Sequence, residues 1–221
     1  MENQDFIALN FEKIEESEMI KRSKAFYKEM DKRRSVREFS KKDVAQEIIE
    51  NIIMTASSAP SGAHKQPWVF CAISNNELKH KIREAAEEEE YKSYNGRMSE
   101  EWLTDLEVFK TNYIKQFIDD APWILVIFKK PFDLIDGQKK KNYYTNESVG
   151  IAVGFLLSAI HNAGLVALTH TPSPMNFLEK LLDRPSNEKA FLLIPVGYPA
   201  ENVMVPKLER KGKDKVMKIY N

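Results

Sequence analysis

Ala59-Pro60-Ser61-Gly62-Ala63-His64-Lys65-Gln66-Pro67-Trp68 breaks off an amphipathic helix and feeds directly into an apolar strand, and the rest of the chain is arranged around it. Its two prolines fix φ and remove backbone donors, while Gly62 permits close backbone approach. The N–H groups around Ser61 and Ala63 are then free to face a ligand instead of a ladder. Taken alone, the stretch reads equally well as a rigid turn joining helix to sheet. Upstream lies Arg33-Arg34-Ser35-Val36-Arg37, and far downstream Thr169-His170-Thr171-Pro172 and Arg210 add hydroxyls and a further guanidinium. Guanidinium groups present planar donor forks that suit phosphate and the oxygen-rich edge of a heterocycle. Together these residues predict a site for a large anionic cofactor, although the arginines by themselves also read as a solvated basic turn.

Before this stretch, Val44, Ile48, Ile49, Ile52, Ile53 and Ala56 recur at three- and four-residue steps, which predicts a helix with Ser40-Lys41-Lys42-Asp43 as its capping box. An earlier amphipathic helix is expected over residues 17–32. After it, residues 68–74 read as a buried strand. Leu78, Ile82 and Ala85 then open a helix that dissolves into Glu87-Glu88-Glu89-Glu90-Tyr91, by its own pattern a solvated helix end. Residues 91–99, holding Asn95-Gly96, read as mobile. Trp102, Leu106, Phe109, Tyr113 and Phe117 predict a helix running to Asp119-Asp120, and residues 123–128 are apolar throughout, as a central strand is. Residues 129–141 form a polar loop in this reading. Residues 148–163 are apolar on nearly every face and stop at Gly164, a residue suited to the left-handed C′ position, so this helix is expected to be buried. Its Gly150, Ala152, Gly154, Ser158 and Ala159 admit a close neighbour from the same chain or a second subunit. Strands at 165–169 and 190–196, a short helix at 176–182 and a patternless tail from Glu201 complete the chain. Strands separated by helices, with runs too continuous for one-sided sheets, predict an α+β or α/β sandwich with helices on both faces.

At 221 residues and 43% hydrophobic, the chain is long enough for a full core. Thirty-three Lys plus Arg balance thirty-three Asp plus Glu, so no global field favours nucleic acid or an anionic membrane, and an anion site must arise from local clustering. Cys71, alone in its kind, lies in an apolar run and reads as a buried hydrophobe. The N-terminal residues Met1-Glu2-Asn3-Gln4-Asp5 lack a basic region followed by an apolar core, and no segment is long enough to span a bilayer, so a soluble cytoplasmic protein is expected. His64, His80, His161 and His170 show no metal-like spacing, and no metal is expected. Neither a dinucleotide fingerprint nor a phosphate loop follows any strand, and Ser61-Gly62 lacks a nucleophile elbow.

Arg33-Arg34-Ser35-Val36-Arg37, Ala59-Pro60-Ser61-Gly62-Ala63-His64 with Pro67-Trp68, and Pro195-Val196-Gly197-Tyr198-Pro199 resemble the FMN-dependent nitroreductase superfamily. Within it, Glu87-Glu88-Glu89-Glu90, Tyr94, Arg97-Met98, Trp102, Asp105-Leu106 and Thr111-Asn112-Tyr113-Ile114-Lys115 resemble the iodotyrosine deiodinases, in a soluble bacterial-type form. The resemblance covers about residues 30–212. It implies an α+β, nitroreductase-like sandwich with a central mixed sheet flanked by helices, forming an intertwined homodimer. Residues 1–30 are then an N-terminal helical arm on the partner subunit, 31–200 the FMN-binding domain with a lid at about 87–115, and 201–221 a C-terminal extension. The implied FMN contacts are Arg33, Arg34, Ser35, Arg37, Ser61, Gly62, Thr169, His170, Thr171 and Arg210, with His170 standing where many animal members have threonine. Implied substrate contacts are Ala63, Glu90, Tyr94 and Lys115, and the implied catalytic residues are Thr171, near flavin N5, and Ala63, whose N–H meets the substrate phenolate. The activity implied is reductive dehalogenation of halotyrosines, with electrons from an unidentified donor. A general nitroreductase or flavin reductase and a non-catalytic flavin-binding redox sensor remain open alternatives.

Overall fold

The computed structural model describes residues 6–221, so the first five residues of the expected arm lie outside the described residues. The chain divides into two compact units, one ending at Arg33 and one running from Arg34 to Asn221. The first unit holds α1 (Glu16–Lys32), with Glu16 and Glu18 in its first turn and Lys32 in its last, as the helix dipole favours. None of its residues is buried, and the apolar stripe of Met19, Ile20, Phe26 and Tyr27 is exposed.

In the second unit the elements run α2 (Gln46–Ser57), β1 (Trp68–Ile73), α3 (Asn76–Lys92), α4 (Glu100–Glu107), α5 (Phe117–Asp120) and β2 (Trp123–Lys129). They continue with β3 (Phe132–Ile135), β4 (Gln138–Lys141), α6 (Thr145–Asn162), β5 (Val166–Ala167), α7 (Asn176–Leu181), β6 (Lys189–Gly197) and the single turn α8 (Lys213–Val216). The main sheet has the order β1-β2-β6-β5, with every strand pair antiparallel. The mixed sheet implied by the resemblance reduces to one parallel bridge, from Ser35 to Ala167.

Period-two alternation in β2 divides the core. Leu125 and Ile127 face α2 and α6, packing with Ile49, Ile52, Ala56, Val149, Ala152 and Leu156. Ile124, Val126 and Phe128 face the other way, onto Ile82 and Ala86 of α3, Ile118 of α5 and Leu178 of α7. The five side chains from Ile124 to Phe128 are fully buried, which is why that run carries no polar residue. The result is the expected sandwich, with helices on both faces of the sheet. Among the described residues no helix is long and apolar enough to cross a membrane.

Several local expectations need correction. Ser40 does not cap a helix: its Oγ accepts from the Lys42 N–H at 3.2 Å, and its own N–H is tied to the Tyr198 carbonyl, so the chain stays extended there. The helix begins at Gln46, after Ala45, with no side-chain cap. The helix over 102–120 is interrupted after Glu107, because Lys110 takes a left-handed φ of 47° and Asn112 Oδ1 accepts from the Ile114 N–H at 2.8 Å in a side-chain turn. Residues 129–141 are not a plain loop but contain the β3–β4 hairpin, turned by Asp136 and Gly137 at φ of 52° and 75°. Gly164, at φ 77°, is the C′ residue expected: its N–H donates to the His161 carbonyl and the Leu165 N–H to the Ile160 carbonyl, closing a Schellman motif on α6. That helix buries only one side, however. Gly150, Ile151, Gly154 and Phe155 form an exposed stripe.

Candidate functional site

Glu87, Glu89 and Glu90 are not a solvated helix end. α3 continues intact to Lys92, started by Asn75, whose side chain accepts from the Leu78 N–H at 2.8 Å. Glu90 is 8% exposed and Lys115 3%, and they form an ion pair of 3.0 Å. Lys115 Nζ also donates to the Asn112 carbonyl. The Tyr94 ring lies 5.5 Å from Lys115 Nζ, on the π-helical turn Ser93–Arg97 that extends α3 by one register. Burial pulls the Lys115 ammonium below its ordinary range, against the opposing pull of Glu90. Burial likewise raises the Tyr94 phenol, although a hydrogen bond with the Thr111 side chain opposes it. A buried anion, a buried cation and a phenol therefore stand together, drawn from positions far apart in the sequence.

Beside them is a half-buried cation, Arg37. Its guanidinium stacks 5.2 Å from the Phe109 ring centroid and has no carboxylate partner among the described residues. Desolvation lowers its pKa. Ser35 and Arg37 line a cavity of about 560 Å³ with Phe109, Thr111, Phe117 and Pro206. The segment 169–171 touches the same region through the His170 ring, which packs on the lining residue Phe117. Thr169 and Thr171 are exposed, whereas His170 turns inward between them. Both backbone groups of His170 are occupied by Leu193, and its ring meets Phe117 edge-on at 5.4 Å. His170 Nε2 is buried without a hydrogen-bond partner among the described residues.

Ser61, Gly62 and Ala63 lie elsewhere, against the start of α6. The Gly62 N–H donates to Ser148 Oγ at 3.2 Å, and a Cβ on Gly62 would come within 3.0 Å of the Tyr143 carbonyl oxygen. Ser61 Oγ accepts from the Gln66 N–H, and Ala63, His64 and Gln66 all hold left-handed φ values, of 49°, 53° and 46°. Such strain in non-glycine residues persists only where the surroundings enforce it. No hydrogen bond or ion pair described in the chain joins this loop to the Glu90–Lys115 cluster. Arg33 closes α1 in the first unit, Arg34 opens the second, and Arg210 lies in the exposed tail; each has interaction partners of its own.

The nitroreductase-family profile matches residues 30–198. The chain belongs to the nitroreductase family. It is 60% identical over 216 residues to an iodotyrosine deiodinase of Haliscomenobacter hydrossis, which covers 97% of each chain. To iodotyrosine deiodinase 1 of Homo sapiens it is 46% identical, over 98% of this chain and 75% of that one. A solved structure of oxidized iodotyrosine deiodinase bound to FMN and 3-iodo-L-tyrosine resembles it with a TM-score of 0.76 at 32% identity, covering 89% of this chain and 98% of that chain. Within the nitroreductase family, the chain groups with the iodotyrosine deiodinases.

Nitroreductase membership agrees with the donors present. The half-buried Arg37 and the exposed hydroxyls of Thr169 and Thr171 fit an anionic cofactor with a polar ring edge, whereas the Gly62 N–H is already taken by Ser148 Oγ. Sequence reading missed Arg83, Phe109 and the role of Glu87. The i, i+4 spacing of Arg83 and Glu87 is a visible signal, but it reads as an ordinary surface pair.

His170 yields a test of this arrangement. Burial, with the nearby Lys115 and Arg37 cations, lowers its pKa from 6.5 to about 3. The imidazole is therefore neutral in the folded protein while the unfolded chain takes up a proton below about pH 6.5, so stability falls as pH drops from there towards 3. Between pH 7 and pH 5 this linkage amounts to about 2 kcal/mol. Urea unfolding at both pH values is expected to show that difference in the wild type and to lose it in His170→Thr. Equal acid sensitivity in the two proteins would place the imidazole in water.

Proposed function

We propose that the chain is an FMN-dependent reductive dehalogenase of halotyrosines, releasing iodide and tyrosine from iodotyrosine. The observation that carries this reading is the buried Glu90–Lys115 pair beneath Tyr94. A free amino acid is a zwitterion near neutral pH, and selecting it requires one anion and one cation at short separation. Glu90 receives the ammonium and Lys115 the carboxylate, with the Tyr94 hydroxyl as a further donor. FMN, when bound, supplies the two electrons that, with a proton, replace iodide by hydrogen on the ring. Its phosphate and ring edge are assigned to Arg33, Arg34, Ser35, Arg37, Ser61, Gly62, Thr169, Thr171 and Arg210. Thr171 would offer its hydroxyl to the flavin ring edge, and the Ala63 N–H would receive the substrate phenolate. His170 belongs to the same assignment by its place between the two threonines, with its ring turned inward onto Phe117.

The loop 61–63 and the Glu90–Lys115 cluster have no described contact within one chain, and the α6 stripe is open. Both observations support a site completed between two copies of the chain. In this reading, residues 1–30 embrace the partner, 201–221 extend over it, and 87–115 act as a lid that substrate binding secures.

The purified protein is expected to be yellow, to contain non-covalent FMN, and to release iodide from 3-iodotyrosine when reduced with dithionite. Turnover of nitroarenes with no iodide release would favour a general nitroreductase instead. A protein that binds FMN but turns over neither substrate would favour a sensor.

A further inference from the structure

Resting on the substrate assignment above, we propose that Glu87 is a positioning residue that sets where the Lys115 ammonium stands. Glu87 lies one helical turn before Glu90 on α3, and both face the segment that carries Lys115. The two carboxylates grip the same lysine at opposite ends. Glu90 Oε2 meets Nζ at 3.0 Å, while Glu87 Oε1 accepts from the Lys115 backbone N–H at 2.7 Å. Glu87 is itself held by Arg83, whose Nε donates to Oε1 at 2.6 Å. Arg83 also reaches past Lys115: Nη1 donates to Asp119 Oδ2 at 2.8 Å and to the side-chain oxygen of Gln116. One guanidinium thus spans both α3 and the start of α5, with Lys115 between them.

The brace is needed because of what the local sequence does. Residues 108–116 form no long helix, Lys110 is left-handed, and nothing periodic fixes the register of this segment against α3. A lysine side chain has four rotatable carbons, so a main-chain shift of a few ångströms would still let it reach Glu90 but would change the separation offered to a zwitterion. Anchoring the Lys115 backbone to α3 through a charge-assisted hydrogen bond fixes that separation.

The test uses the FMN-loaded protein, with binding of 3-iodotyrosine and 2-iodophenol followed by quenching of flavin fluorescence. Glu87→Ala is expected to weaken 3-iodotyrosine about tenfold while leaving 2-iodophenol and FMN affinity unchanged. Glu87→Gln retains an acceptor for the Lys115 N–H and is expected to recover most of the loss. Because Glu87 acts through Lys115, the double variant with Lys115→Ala should bind no worse than Lys115→Ala alone. Additive losses, or equal weakening of both ligands, would overturn the proposal. Hydrogen exchange over residues 108–116 in the ligand-free protein supplies an independent reading, and it must accelerate in Glu87→Ala. Unchanged exchange defeats the brace whatever the ligand results. Should Lys115→Ala itself fail to separate the two ligands, the substrate assignment falls while the exchange measurement still decides the brace.

Discussion

Lys115→Ala is expected to raise the dissociation constant for 3-iodotyrosine by roughly tenfold to a hundredfold and to leave that for 2-iodophenol almost unchanged. The same holds for Glu90→Gln. In the structure the two side chains satisfy each other, at 3.0 Å and almost wholly buried. In the proposed function a bound zwitterion exchanges partners: its ammonium takes Lys115's place at Glu90, and its carboxylate takes Glu90's place at Lys115. Both charges that a zwitterion needs therefore stand together, shielded from solvent, before substrate arrives. An iodophenol brings no charges to exchange and gains nothing from either residue. Removing the lysine also strands a buried carboxylate, a loss of about 3–5 kcal/mol when uncompensated, so the variant is expected to melt at a lower temperature. Glu90→Gln paired with Lys115→Met removes both charges and separates the two effects, because it restores stability without restoring discrimination. Quenching of flavin fluorescence measures both ligands in one assay. Equal losses for the two ligands would remove the zwitterion clamp from the mechanism.

Phe155→Glu combined with Ile151→Glu is expected to convert a yellow dimer into a colourless monomer. Ile151 and Phe155 are 44% and 41% exposed on α6, one turn apart, on a helix that carries no charged residue from Ser148 to Ile160. Gly150 and Gly154 share the stripe, and a Cβ added at either would meet nothing within 4 Å. Among the described residues their smallness serves no packing, which agrees with close approach by a second subunit in the proposed dimer. Two carboxylates buried without partners against a second α6 disfavour association by several kcal/mol, more than a thousandfold. The same substitutions are compatible with the fold, because the face is open in the single chain. Light scattering and the flavin absorbance report the two outcomes together. A variant that stays dimeric and yellow would move the interface away from α6.

The sheet and its helices were legible because their signals are local and redundant. Residues 124–128 are apolar without a break, and the structure buries each one. Gly164 stops α6 as its position indicates. The failures have specific causes. Ser40 looks like a cap, but its backbone is claimed by Tyr198, a contact between residues far apart in sequence. Apolar spacing over 102–117 imitates one helix, and a single Asn112 side-chain turn with a left-handed Lys110 cancels it. Asp136-Gly137 was a readable hairpin signal that the polar strands around it masked. In the candidate site, residue types and their positions were readable through family resemblance. Their company was not: the pairing of Glu87 with a backbone N–H 28 positions away has no periodic trace, and neither does the inward turn of His170 between two exposed threonines.

The position of β2 at the centre of the sheet also bears on how the chain is made. Its first partner, β1, precedes it by about fifty residues, but its second, β6, follows some sixty residues later and pairs through Lys189 to Val196. On the ribosome, the five-residue run most prone to join a neighbouring chain emerges before the strand that will cover its free edge exists. Synthesis at about 5–20 residues per second leaves that edge open for several seconds. During that interval α3 and β1 can shield one face and one side only. Completion of the sheet waits for β6, close to the last tenth of the chain, so the β2 edge stays unpaired until that strand emerges.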